Sequence, residues 1–325
     1  MGADANPGLR KEVPLPTAAP VEYPKSAARL GLFLGLIAVV FWAFGASLVF
    51  FGAQQTGTWP FVTLASLVGG VLQLLCCRVY RGELRTAIRL PWRLWLGPVF
   101  CFVLYGLAWP LALVGSTTRQ VVGVSLINYL WPTLTVLFSV WCVPGVRLTP
   151  KIILALLLAL AGLALANYKP IQTLLSGAGG QAPTLRHFLP YGLATVAAIT
   201  WAIYSTLLAR WRSWAGNYVT SPWGFILIGL VGAMIMVATG TVPRQLTGLG
   251  TILTIFYGAG PLAIGYLLWE IALSKARVQA LSLIAALTPV LSTLLLCFFL
   301  RHLPGGELIC AAVLVSAGVV LSMRE

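Results

Sequence analysis

Apolar positions in this chain gather into ten long runs, near residues 30–53, 58–80, 94–115, 120–142, 151–167, 188–210, 218–239, 249–273, 278–300 and 307–323. Polar and charged residues are largely confined to the stretches between them. A helix that crosses a bilayer needs about 20 apolar residues, so each run has the length of one span, with the fifth at the lower limit. Lipid offers no partner to a backbone N–H or C=O, so every run must be helical. The pattern predicts an all-α polytopic membrane protein with ten transmembrane helices.

Lys and Arg set the expected orientation. Sixteen of the 21 fall in segments on the same side as the N-terminus, chiefly the tail and the Arg78 to Arg93 stretch. Only Arg119, Lys169, Arg186, Arg244 and Arg301 fall on the other side. Basic residues stay in the cytoplasm, so both termini are expected there, which requires an even number of spans. Trp59, Trp92, Trp95, Trp141, Trp211, Trp214 and Trp223 lie at run ends or in loops, where interfacial anchoring explains them. Residues 1–28 are polar and Pro-rich and read as a disordered cytoplasmic tail. The first apolar run follows too long a leader for a signal peptide.

The two halves match each other. Trp42-Ala43 corresponds to Trp201-Ala202, an offset of 159. Trp109-x-x-Ala112-Leu113 corresponds to Trp269-x-x-Ala272-Leu273, offset 160. Ser125-Leu126-Ile127 with Pro132 corresponds to Ser282-Leu283-Ile284 with Pro289, offset 157, and Ala161-Gly162 to Ala317-Gly318, offset 156. Constant order at a near-constant offset is an internal repeat. Five spans per repeat is odd, so the second repeat enters the membrane inverted, an arrangement that transporters use to alternate access. The expected organisation is a tail at 1–28, a first five-helix repeat at 29–167, an inter-repeat loop at 168–187 and a second five-helix repeat at 188–325.

Composition narrows the function. Hydrophobic residues make up 59% and charged residues 9% of the chain, against roughly 25% charged in a soluble domain. The net charge of +14 is therefore a feature of membrane loops, and no nucleic-acid partner is expected. The six cysteines form no C-x-x-C pair, and His187 and His302 are far apart, so neither a metal site nor a cofactor is expected. An enzyme would need a cluster of His, Cys or carboxylates, and no phosphate-binding loop is present. A channel or scaffold remains as a rival, without the repeated rings of an ion filter.

Candidate site residues come from faces of the spans. Trp42 and Trp201 are symmetric aromatics at mid-span on faces of small residues, which is either tight helix packing or a cavity wall. Ser125, Asn128, Tyr129, Pro132, Thr135 and Ser139 form one polar stripe along the fourth span, which either lines a cavity or bonds neighbouring helices. Ser282, Thr288, Pro289 and Ser292 form a thinner counterpart. Pro132 and Pro289 would free the carbonyls of Asn128 and Ala285 and act as hinges. Tyr105 and Trp109 share a face of the third span. Tyr204 joins Trp201, and Tyr266 and Glu270 share a face of the eighth span. Glu270, the one acid well inside a span, either couples protons or pairs with Lys275.

Ten spans, a basic tail, paired five-helix halves and the shared Ser-Leu-Ile-x-x-Leu-x-Pro pattern resemble the drug/metabolite transporter superfamily, in its ten-helix EamA-type branch. The aromatic loading of Phe41-Trp42-Ala43-Phe44 and Asn128-Tyr129-Leu130-Trp131-Pro132 is most similar to the aromatic amino acid exporters of that branch. The resemblance covers about residues 29 to 323 and implies a secondary transporter in a bacterial inner membrane. No Lys or Arg lies deep in a span to neutralise a phosphate, and the first span lacks the glutamate of the small multidrug pumps. A neutral or zwitterionic solute with an aromatic or apolar body is expected, carried outward by alternating access. The alternative is a broader exporter of amphipathic metabolites or drugs.

Overall fold

The chain is described by a computed structural model covering residues 24–81, 89–142, 147–175, 184–211, 218–241, 248–276, 281, 284, 285 and 287–322. All regular structure among these residues is helical. Helix α1 spans Lys25–Thr56, α2 Thr58–Arg81, α3 Trp92–Val114, α4 Val121–Asn128, α5 Trp131–Cys142, α6 Pro150–Leu175 and α7 Leu185–Arg210. Helix α8 spans Ser221–Thr239, α9 Gly248–Tyr257, α10 Tyr266–Lys275, α11 Thr288–Phe299 and α12 Gly306–Ser322. Eight helical stretches are long and apolar enough to cross a membrane, and α11 and α12 are shorter apolar helices.

Several boundaries differ from those expected. Helix α6 is longer than the fifth apolar run: it continues to Leu175 through residues expected to be loop. The expected disorder of the tail concerns residues outside the described ones, except that Lys25 to Ala28 already belong to α1.

The packing of helices is symmetric under exchange of the halves. Helix α6 packs on α12, and α2 on α8. Helix α7 packs on α3 and α5, while α1 packs on α10 and α11. Counted as apolar runs of the sequence, the fifth meets the tenth and the second the seventh, and the first of each half meets the third and fourth of the other.

Glycines fix the two self-symmetric contacts. A Cβ on Gly162 would lie 2.6 Å from the Ala311 carbonyl, and one on Gly318 would lie 2.6 Å from the Ala155 carbonyl. Both contacts obey the offset of 156 found in the sequence. At the α2–α8 contact a Cβ on Gly70 would lie 2.9 Å from the Pro222 carbonyl, and one on Gly229 3.2 Å from the Thr63 carbonyl. Here the offset is 159. Backbones approach this closely only where no side chain intervenes, and small residues supply the close packing that lipid-embedded helices need.

The fourth span is broken. Helix α4 ends at Asn128, and Tyr129 and Leu130 form a turn in which Tyr129 N–H donates to Leu126 at 3.1 Å and Leu130 N–H to Ile127 at 3.0 Å. Helix α5 then starts at Trp131 with Pro132 in its first turn, where a missing N–H has no cost. The second half repeats this at an offset of 157, with Leu287 N–H donating to Ile284 at 3.0 Å and Pro289 in the first turn of α11. The expectation that each proline kinks a continuous helix is thus corrected: each begins a new one. The third and eighth spans are loosened instead of broken, by π-helical segments at Trp95–Val99 around Pro98 and Gly258–Gly265 around Pro261.

Candidate functional site

These irregular segments surround a cavity between the two halves. Its volume is about 100 Å³, and a water needs roughly 10–15 Å³ of such space, so it has room for a small metabolite and not for a chain segment. Every broken or π-bulged span lines it except through Pro98: Pro132 and Trp131 from α5, Ala285, Thr288 and Pro289 from the ninth span, Pro261 and Leu262 from the π segment before α10. Irregular backbone at membrane depth is tolerated where it borders a cavity.

Seven of the expected site residues line this space: Trp42, Tyr105, Trp109, Asn128, Tyr129, Trp201 and Tyr266. Their rings are linked. Trp42 stands 5.3 Å from Tyr266 between ring centroids, Tyr266 5.8 Å from Trp201, and Trp201 4.5 Å from Tyr105. The Tyr105 hydroxyl interacts with the Asn128 amide. The wall therefore runs without interruption from the first span, through the eighth, sixth and third, to the fourth.

Two expected residues do not line the cavity. Ser125 is fully buried and its hydroxyl donates to the Val122 carbonyl at 2.7 Å, so it serves its own helix. Tyr204 stands behind Trp201, 5.1 Å between rings, with its hydroxyl 3.1 Å from Thr220 Oγ1. Further along the expected stripe, Thr135 donates to the Trp131 carbonyl and Ser139 to the Thr135 carbonyl, each at 2.7 Å. The break at Tyr129 thus divides the stripe, and only Asn128, Tyr129 and Pro132 face the cavity. Glu270 belongs to α10, but its side chain lies outside the described residues, and Ser282 lies outside them altogether.

Other residues join the lining. Val62 and Ser66 come from α2 and Phe225 and Ile228 from α8, helices that carried no sequence signal, and Tyr257 comes from α9. Phe102 lies behind them, with no exposure, and its ring is within 6.5 Å of Tyr105, Trp201, Tyr204, Phe225 and Tyr266. No charged side chain lines the cavity among the described residues.

Comparison with known proteins agrees with the twofold packing. The profile of the EamA-like transporter family matches twice, over residues 29–168 and 189–324. This chain belongs to the EamA-like transporter family. The first EamA-like match ends within α6 and the second begins within α7, so the family's repeat sorts the helices into the same two halves as the packing. Similar proteins include the aromatic amino acid exporter YddG of Ancylobacter novellus, 28% identical over 292 residues that cover 89% of this chain and 95% of that one. YddG of Salmonella typhimurium is 27% identical, over 89% and 94%, and YddG of Escherichia coli 26%, over 81% and 86%. A crystal structure of a protein aligns with a TM-score of 0.65 over 90% of this chain and 94% of its own, at 24% identity, which shows a shared fold alone.

Proposed function

We propose that this protein is a secondary transporter that exports aromatic or other neutral amino acids from a bacterial cytoplasm. The observation that carries the reading is the aromatic-walled cavity between two similar halves, uncharged among the described residues. Aromatic walls hold an aromatic body by stacking and edge contacts, each worth about 0.5–1.5 kcal/mol beyond the area buried. The relatives named as aromatic amino acid exporters support the same substrate class.

In this reading ten spans form two inverted five-helix repeats, with both termini in the cytoplasm of the inner membrane. The fourth and ninth spans, broken before Pro132 and Pro289, are hinges, and swapping the conformations of the halves moves the opening from one side to the other. Tyr105, Trp109, Trp201 and Tyr266 hold the body of the solute with the ring of Trp42, and Asn128 and Tyr129 its polar part. Asn128→Ala and Trp201→Ala, at matched membrane levels, test this. Loss of Asn128 should weaken transport by about 1–3 kcal/mol, as for a bound polar group left unsatisfied. Unchanged uptake of every accepted amino acid in both variants would show that these faces only pack helices.

A further inference from the structure

Two polar atoms at the cavity are buried and lack any hydrogen-bond partner among the described residues: the Trp42 indole N–H and the Asn128 Oδ1. Both residues line the cavity. One is a donor and the other an acceptor, and each sits in a side chain otherwise engaged. Trp42 packs its ring on Tyr266 and Trp269, and Asn128 is 3% exposed with its amide against Tyr105. Buried polar groups are almost always paired, so an orphan calls for an explanation. Two orphans of opposite kind on one cavity are explained together by a ligand that carries both an acceptor and a donor.

The second half does not duplicate this pair. At the offset of 157, Asn128 corresponds to Ala285, which also lines the cavity. At 159, Trp42 corresponds to Trp201, whose indole N–H is not among the buried polar atoms without a partner. The polar end is therefore built once, within the first half, and it gives an otherwise pseudo-symmetric cavity a direction.

Resting on the proposed transport function, we infer that Trp42 and Asn128 read the α-carboxylate and the α-ammonium of a zwitterionic amino acid. The indole N–H donates to the carboxylate, and Oδ1 accepts from the ammonium. Neutral groups suit this task. A Lys or Glu would bind one end of the zwitterion strongly but would equally favour an organic anion or an amine. One neutral donor and one neutral acceptor reward only a solute that offers both charges, and a site built to hydrogen-bond a group rejects analogues that lack it.

The test uses the full chain in proteoliposomes, with labelled phenylalanine as the transported probe. Unlabelled phenylalanine, phenethylamine (no carboxylate) and 3-phenylpropanoate (no ammonium) compete with it. Wild type should prefer phenylalanine over each one-ended analogue by about tenfold or more, the scale of a hydrogen bond to a charged group. Trp42→Phe should erase the preference over phenethylamine and keep that over phenylpropanoate. Asn128→Leu should do the reverse. Ratios within one variant cancel differences in expression, and the wild-type series stands if either variant fails to accumulate. Equal competition by all three compounds in wild type, or a uniform loss for all three in the variants, would overturn the inference and leave the transport reading intact. Failure of wild type to take up any amino acid would instead remove the transport reading itself.

Discussion

At the scale of single residues, the site's shape depends on side chains that the solute would not touch. Phe102 is fully buried on α3, and five other rings stand against it. Removing a buried Phe side chain costs roughly 3–5 kcal/mol when its surroundings do not collapse. Phe102→Ala is accordingly expected to lower the unfolding temperature in detergent and to weaken transport together. An unchanged unfolding temperature would show that the ring cluster is not held from behind. Trp42, Trp201 and Asn128 were legible in the sequence because each stands out from its surroundings, an aromatic among small residues or an amide in an apolar run. Phe102, Phe225 and Val62 were not, since an apolar residue on an apolar helix gives no contrast between the face toward lipid and the face toward a cavity. Ser125 misled for a related reason. A hydroxyl can satisfy itself on the preceding turn of its own helix, and helical spacing alone does not reveal that it has done so.

At the scale of elements, the spans and the repeat offsets were readable because hydropathy and glycine spacing are local. The interruptions were not. Pro132 pointed to a disturbance, but whether it kinks a helix or begins one depends on the turn at Tyr129 and Leu130, which carries no sequence mark of its own. The close contacts give the sharpest tests. Gly162 and Gly318 meet the opposite helix backbone in reciprocal fashion. Gly162→Val and Gly318→Val are each expected to destabilise the protein by about 1–3 kcal/mol, through overpacking of α6 against α12. Thermal unfolding of the purified variants checks this, and the two effects should be alike in size. A large effect at one glycine and none at the other would contradict the twofold relation of the halves at this contact.

At the scale of the molecule, the packing relates the two halves by exchange, and in the proposed reading five spans in each make them inverted across the bilayer. In that reading the distribution of basic residues gives the expected side of every loop. Reporter fusions after Arg85 and after Gly180 are expected to lie in the cytoplasm and outside, respectively. The opposite pair of signals would overturn this orientation and the repeat argument built on it. The central claim, transport of neutral amino acids with aromatic bodies through this cavity, is tested most directly by uptake into proteoliposomes that contain the purified protein, screened across the amino acids and a set of cationic dyes. Saturable uptake of phenylalanine, tyrosine, tryptophan or other neutral amino acids, weakened by Trp201→Phe and absent for the dyes, is the result the account requires. Uptake of the dyes without the amino acids, or no protein-dependent uptake of any amino acid, would contradict it.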